Sequence, residues 1–233
     1  MLNMINGKMK AVTFSYDDGV MQDKRLVELM NKYQLKGTFN LNSELLGKLG
    51  VLNFDGKIVE HNKISADEVA QVYRGHEVAV HTLTHPTLRK LDEAEIIRQV
   101  EEDRKNQEQI VGYEIVGMAY PNDGFADKRL ANIIKQKTKI KYARMVECAE
   151  SFDAQNDLYR FKPNVHSIME PEKLFEKAKE FIELKPNKPQ MFYVWGHAYE
   201  MDQMDRWDML EEFFALISGK EDIFYGTNAE VLL

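Results

Sequence analysis

The chain has 233 residues, of which 44% are hydrophobic and 30% charged, and its 31 basic and 38 acidic residues give a formal net charge of −7. This length and composition are those of a globular domain with a large core, and the acidic balance argues against a nucleic-acid partner, which normally binds a basic face. The sequence contains no apolar run of about 18 residues, which is the length needed to span a bilayer. The N-terminus lacks the apolar core of a secretory signal, and the single cysteine, Cys148, cannot form an intrachain disulfide. We therefore expect a cytoplasmic protein with no membrane partner, and the sequence leaves its oligomeric state open.

Short β-branched or aromatic segments alternate with segments of helical period along the chain. In chain order the predicted elements are strand 10–14, helix 24–33, strand 37–41, helix 65–74, strand 77–80, helix 92–111, strand 115–120, helix 127–137, strand 141–145, a helix from Pro171, strand 191–195, helix 205–218 and strand 223–225. Such alternation is typical of a parallel α/β sheet with crossover helices. Seven strands favour a distorted (β/α) barrel, one domain over 1–233, and leave an open doubly wound sheet as the alternative. Residues 42–63 do not fit the alternation and are predicted to form a long excursion near the site.

Ionisable and amide residues follow four of the predicted strands. They are Asp17 and Asp18 after the first strand, His81 after 77–80, Asn122 and Asp123 after 115–120, and His197 after 191–195. Because the active site of a parallel α/β fold lies at the carboxyl ends of its strands, we expect these side chains to meet at one rim.

His81 and His85 are separated by three residues, a spacing at which two imidazoles can chelate one ion on a helix. Pro86 disfavours helical geometry at His85, so we expect a strand end that enters a loop, where chelation is still sterically feasible. A catalytic zinc site typically has three protein ligands and one open position, and Asp18 is the best third donor. Two ordinary surface histidines are the alternative.

The adjacent carboxylates Asp17 and Asp18 repel each other, and a cation or strong donors would stabilise the pair. If Asp18 binds a metal, Asp17 can act as general base on an activated water. Plain turn chemistry of Asp-Asp-Gly is the alternative, but it leaves the histidines unexplained. His197 is either a satisfied core residue or, at the common rim, a general acid.

Together these residues resemble the polysaccharide deacetylase family, also called carbohydrate esterase family four, which has a distorted (β/α) barrel. The family's Thr-Phe-Asp-Asp-Gly motif reads TFSYDDG over 13–19, its His-Ser/Thr-x-x-His motif reads HTLTH over 81–85, and its late motif with a histidine reads VWGH over 194–197. The resemblance implies that Asp17 is the general base, that Asp18, His81 and His85 bind the metal, and that His197 is the general acid.

The third motif of the family, Arg-x-Pro-Tyr, reads AYPN over 119–122, so its arginine is missing, and either Arg144 or Arg160 is a candidate replacement. By the resemblance, the Asn122 N–H serves as the oxyanion donor, and Tyr120 and His166 are further substrate-binding positions. The family's aspartate-and-tryptophan motif is not recognisable.

The function predicted from these residues is metal-dependent removal of an N-acetyl group from an acetylated sugar or oligosaccharide. The metal is a divalent ion, with zinc first and cobalt, nickel or manganese also compatible with Asp/His/His ligation. One alternative keeps the site but assigns a small non-peptide C–N bond, such as a cyclic amide or ureide, to a cytosolic amidohydrolase. A second is a non-catalytic carbohydrate-binding protein, and a third is a structural metal site.

Overall fold

The structure is a computed structural model that describes residues 7–233. The strands within these residues are β1 (Lys10–Asp17), β2 (Thr38–Leu41), β3 (Val51–Phe54), β4 (Lys57–Glu60), β5 (Glu77–Val80), β6 (Gly117–Ala119), β7 (Tyr142–Arg144), β8 (Val165–His166), β9 (Gln190–His197) and β10 (Ile223–Tyr225). The α-helices are α1 (Asp23–Lys32), α2 (Ala66–Val72), α3 (Glu93–Val111), α4 (Lys128–Lys137), α5 (Pro171–Glu183), α6 (Tyr199–Met204), α7 (Trp207–Ile217) and α8 (Asn228–Leu232).

Seven parallel strands form one curled sheet in the order β7-β6-β5-β2-β1-β9-β8, and helices flank it as in a half-barrel. An eighth parallel strand, β10, pairs with the first residues of β1. It lies on the same edge of β1 as β2, which pairs with the last residues of β1. Within the described residues no ladder joins β7 to β8, so the barrel is incomplete. The predicted α/β class and distorted barrel are thereby confirmed.

The central strand β1 is buried on both faces. One face carries apolar side chains and the other carries polar side chains. Val12, Phe14 and Tyr16 lie in the main hydrophobic core, because alternate side chains of a strand point to opposite faces. The Phe14 ring meets the aromatic rings of α7 edge to face. Ser15 and Asp17 alternate with these residues and form hydrogen bonds with other polar side chains. The polar face leads to the carboxyl end of the sheet.

Several boundaries differ from the prediction in a way that matters for the site. The apolar runs stop near residues 14 and 195, but the ladder hydrogen bonds continue, so that Asp17 and His197 are the last residues of β1 and β9 instead of loop residues after them. The predicted helix 205–218 begins at Trp207, because Asp205 adopts a left-handed conformation (φ 53°) that ends α6 before it.

The excursion 42–63 contains the antiparallel hairpin β3–β4, which the sequence pattern did not predict. The two-residue strand β8 and the short helices α6 and α8 were also missed, because elements of this length carry too few residues to show a period. No helix in the described part of the chain has both the length and the apolar content to cross a bilayer. That one catalytic domain spans all of 1–233 stays a prediction.

Candidate active site and metal centre

Asp18, His81 and His85 meet at the carboxyl end of the sheet. Each offers a ligand atom, and these atoms lie within 4.8 Å of one another. The Asp18 Oδ1 atom is 3.6 Å from Nε2 of His85 and 4.0 Å from Nε2 of His81. Two donors about 2 Å from a tetrahedral zinc ion are about 3.4 Å apart, so the three side chains need little rearrangement to share one ion.

The loops that carry this group have left-handed backbone at non-glycine residues. The φ angles are 83° at Asp18, 71° at Thr82, 60° at His85 and 58° at Asn122. Such conformations are costly for residues with a Cβ atom and cluster at functional sites. The Asp18 backbone is held by a hydrogen bond from its N–H to Asn40 O (3.0 Å). As predicted, the segment from His81 to His85 is a loop and not a helix.

The donor set is in the protonation state that a metal requires. Burial lowers the pKa of His81 to about 4, and its Nδ1 atom lies 2.9 Å from Ala119 O, which leaves Nε2 free as an electron-pair donor. Burial also lowers the pKa of His85. At Asp18, burial acts to raise the pKa, but His61 and Lys63 outweigh it and hold the pKa well below its usual range. Two neutral imidazoles and one carboxylate fit a divalent cation.

Asp17 is fixed by two partners inside the barrel. Its Oδ1 atom accepts a hydrogen bond from Asn40 Nδ2 at 2.8 Å, and its Oδ2 atom forms a buried ion pair with Arg144. Burial acts to raise the pKa of Asp17, but Arg144 together with the neighbouring His81 and His197 outweighs it, and the net pKa lies below the usual range. Of the two candidate arginines, Arg144 reaches Asp17, whereas Arg160 pairs with Asp157 at 2.6 Å.

His197 faces Asp17 across the β1–β9 ladder, with 3.9 Å between Nε2 and Asp17 Oδ2. Its Nδ1 atom is 3.2 Å from Glu200 Oε1, and its main-chain N–H donates to Glu200 Oε2 at 3.0 Å. Although burial acts to lower the pKa of His197, the Glu200 carboxylate raises it to about 9. We therefore expect the His197 ring to be in its imidazolium form at neutral pH, with Nε2 on the side of Asp17.

A cavity of about 400 Å³ opens directly onto this group, and Asp18 and His85 form part of its lining. A larger cavity of about 530 Å³ lies between α4 and residues 156–160. Its lining includes Arg160 but none of the residues grouped around Asp18, so the cavity at Asp18 is the one relevant to chemistry.

The family model for polysaccharide deacetylase matches residues 5–141, more than half of the chain. The chain belongs to the polysaccharide deacetylase family. Among curated proteins, no sequence matches it.

Solved structures of polysaccharide deacetylases share the fold at low identity. A putative polysaccharide deacetylase from Mycobacterium smegmatis superposes with a TM-score of 0.68 at 13% identity, covering 97% of this chain and 90% of the other. A peptidoglycan N-acetylglucosamine deacetylase gives 0.60 at 13% identity, with coverage of 97% and 94%. A pseudoenzyme of the same family from Bacillus anthracis gives 0.56 at 16% identity, with coverage of 100% and 67%. Membership of this family supports deacetylase chemistry in general. The family also includes a member described as a pseudoenzyme.

The remaining residues predicted from the polysaccharide deacetylase motifs have different environments. Asn122 donates from Nδ2 to His85 O at 2.5 Å, so its side chain holds the loop that carries His85. The Tyr120 hydroxyl is turned away from the candidate metal group and donates to Tyr159 O at 2.8 Å. His166 is buried with Nε2 3.3 Å from Glu200 Oε2, so it belongs to the group around His197.

Four residues around the site were not predicted from the sequence. Asn40 carried a usable signal, because it lies near the carboxyl end of a predicted strand, as the other rim residues do. Glu200 also carried one, because it follows His197 by three residues. His61, with Nε2 3.1 Å from Asp18 Oδ2, and Lys63, which donates to Asp18 O at 2.8 Å, come from the excursion, where no pattern indicated a role.

Proposed function

We propose that this polysaccharide deacetylase family member is a metal-dependent hydrolase that removes the N-acetyl group from an acetylated sugar. The observation that carries the proposal is the convergence of the Asp18, His81 and His85 donor atoms within 4.8 Å, beside Asp17 and His197. A divalent ion held by these three residues would lower the pKa of a coordinated water and polarise the amide carbonyl. Zinc is the first candidate, with cobalt, nickel or manganese as alternatives.

Asp17 is the proposed general base. Its carboxylate stays ionised because Arg144 lowers its pKa, and Asn40 and Arg144 each hold one of its oxygens. The carboxylate can therefore accept a proton from the water that attacks the carbonyl carbon. A base fixed at both oxygens keeps one orientation while the substrate binds.

His197 is the proposed general acid. The Nδ1 side of its ring faces Glu200, so the proton that it delivers is the one on Nε2. This proton goes to the amide nitrogen as the C–N bond breaks, and the products are acetate and a free amine. Glu200 acts through His197 as a positioning residue, since it stabilises the protonated ring and fixes its plane.

The main-chain N–H of Asn122 is the proposed donor to the oxyanion that develops on the carbonyl oxygen. Within residues 7–233 this N–H has no hydrogen-bond acceptor, and the left-handed backbone at Asn122 places it in the loop that contacts His85. Tyr120 and His166 are better explained as supports of the site than as direct substrate contacts.

Metal analysis and an acetate-release assay test this function together. The purified protein should contain close to one equivalent of a divalent metal and should release acetate from N-acetylated sugars. Asp18→Ala should lose both properties, whereas Asp67→Ala, on the exposed side of α2, should keep both. Turnover that persists in rigorously metal-free protein would refute the metal-dependent scheme.

Two alternatives are distinguished in the same assay. If small cyclic amides or ureides are cleaved and acetylated sugars are not, the protein is an amidohydrolase of small C–N bonds. The pseudoenzyme among its structural relatives raises the second, a carbohydrate-binding protein that binds sugars without releasing acetate. Cytoplasmic location stays a prediction.

A further inference from the structure

The hairpin β3–β4 and the segment before it build an additional wall next to the candidate metal group. The cavity of about 400 Å³ at Asp18 lies between this wall and the rim of the sheet. Leu45, Leu49 and Leu52 line it on the side of the wall, and Asp18 and His85 line it on the side of the rim. A cavity of this size accommodates a small organic ligand.

The wall that faces the metal group is mostly apolar, with Lys48 beside its leucines. Leu45, Leu49 and Leu52 contribute only aliphatic surface, and Leu49 is 86% exposed to solvent. An aliphatic side chain at the mouth of a cavity offers a surface that an apolar part of a ligand can cover. A sugar ring rich in hydroxyl groups would bury those groups against the leucines without hydrogen-bond partners, which is unfavourable.

Two polar side chains of the same cavity, those of His61 and Lys63, are engaged with Asp18. His61 lies 3.1 Å from Asp18 Oδ2, and Lys63 donates to the Asp18 carbonyl oxygen at 2.8 Å. Their hydrogen-bonding capacity therefore serves the candidate metal ligand. The Lys48 ammonium and the Tyr199 hydroxyl are the polar side-chain groups of the lining that remain for a ligand.

The hairpin part of the wall is held against α6. Phe54 stacks on Tyr199 with ring centroids 6.3 Å apart and an interplanar angle of 15°. The Lys57 ammonium donates to the carbonyl oxygens of Asp202 and Gln203 at 2.7 and 2.6 Å, at the end of α6. Ligand binding therefore costs little conformational entropy in the hairpin.

We propose that this cavity binds an apolar aglycone carried by an N-acetylated amino sugar, so that the substrate is an amphiphilic acetamido glycoside. The inference rests on the proposed function, because it takes the amide to be at Asp18, His81 and His85. The sugar lies over the metal group, and its apolar substituent contacts Leu45, Leu49 and Leu52. Leu49 and Leu52 are specificity-determining residues in this arrangement.

The test compares two glycosides of N-acetylglucosamine that differ only in the aglycone, methyl and hexyl. Their dissociation constants are measured by calorimetry on the metal-loaded full chain, and their KM values by acetate release. The hexyl glycoside should bind at least about tenfold more tightly, because several methylene groups leave water. Leu49→Asn should reduce this preference, and the double variant Leu49→Asn/Leu52→Asn should reduce it to less than about twofold.

Val51 supplies the matched control. It lies between the two leucines in the sequence but on the outer face of the hairpin, where it is 66% exposed and opposite Glu60. Val51→Asn removes the same kind of aliphatic surface outside the cavity, so the hexyl preference should stay unchanged. Because Leu49 is itself exposed, Leu49→Asn should fold as the parent does.

The outcomes separate the two proposals. A hexyl preference in binding that depends on Leu49 and Leu52 supports the aglycone site even if no acetate is released, in which case the deacetylase function fails alone. Equal binding of the two glycosides, or a preference that Val51→Asn reduces as much as Leu49→Asn does, overturns the aglycone site while acetate release still supports the deacetylase.

Discussion

The guanidinium group of Arg144 forms an ion pair with the carboxylate of Asp17, 127 residues earlier in the chain, in the interior of the barrel. Arg144 is fully buried, and it also donates from Nε to Ser15 Oγ at 3.1 Å. Its charged plane lies 4.7 Å from the centre of the Trp195 ring. Both partners are thus withdrawn from water, so removal of either leaves the other as an uncompensated buried charge.

Arg144→Met should therefore lower both stability and activity. We expect a loss of about 3–5 kcal/mol in the free energy of unfolding at pH 7, measured with urea, because Asp17 loses its buried partner. The pKa of Asp17 should rise, so that acetate release falls most at acidic pH. Arg160→Met is the control: Arg160 is partly exposed and pairs with Asp157, and its loss should cost less than about 1 kcal/mol. Equal destabilisation by the two substitutions would contradict a special role for Arg144.

His81 and His61 should differ as contributors to metal binding, although both lie within 4 Å of Asp18. His81→Gln removes a proposed ligand and should weaken zinc affinity by more than about 100-fold. His61→Gln removes a group that supports the second oxygen of Asp18 and should weaken it by about 10- to 100-fold at most. Competition with a chromogenic chelator measures both constants. If His61→Gln proved the more damaging, His61 would be assigned as a ligand in place of His81.

The pH profile of acetate release should report the charge of His197. The protonated ring is the acid, and its pKa is raised to about 9 by Glu200, so kcat/KM should fall as pH rises through that region. Glu200→Gln removes the negative charge that favours the imidazolium, so the pKa falls and the alkaline limb should move to lower pH by about one to three pH units. Glu212→Gln, on α7 outside the site, should leave the limb in place. An unchanged alkaline limb in Glu200→Gln would remove Glu200 from the proposed mechanism.

The parts of the site that the sequence predicted are those encoded by local pattern. The apolar content of strands such as β1 and β9 could be read directly, and the rule that parallel strands present their carboxyl ends at one edge was enough to bring Asp18, His81 and His197 together. The Pro86 argument correctly excluded a helix at His85, because the restriction on the residue before proline is purely local.

The parts that were missed depend on packing between distant segments. Arg144 and Arg160 are equivalent candidates in the sequence, and only the direction of the side chain at the end of β7 decides between them. His61 and Lys63 reach Asp18 because Ile64 N donates to Gly19 O at 2.9 Å and brings the end of the excursion to β1. No period in residues 42–63 encodes that contact.

Asn228, the first residue of α8, joins three strands at the end of the barrel opposite the site. Its Oδ1 atom accepts a hydrogen bond from Thr13 Oγ1 at 2.8 Å, its Nδ2 atom donates to the Tyr193 hydroxyl at 2.6 Å, and its N–H donates to Thr38 Oγ1 at 2.9 Å. Asn228 is fully buried, so its side-chain amide satisfies groups that water cannot reach.

Asn228→Ala should destabilise the fold while leaving the proposed chemistry intact. The Thr13 and Tyr193 hydroxyls lose their partner inside the barrel, and each unsatisfied group costs about 1–3 kcal/mol, so thermal unfolding should move to clearly lower temperature. Thr13 lies four residues before Asp17, or about 13 Å along an extended strand, so metal content and kcat should match the parent protein well below the melting temperature. Asn132→Ala, at an exposed position of α4, is the matched control and should change stability by less than about 0.5 kcal/mol. Loss of metal from a folded Asn228→Ala protein would show that the polar interior of the barrel couples α8 to the site, contrary to the separation argued from the geometry.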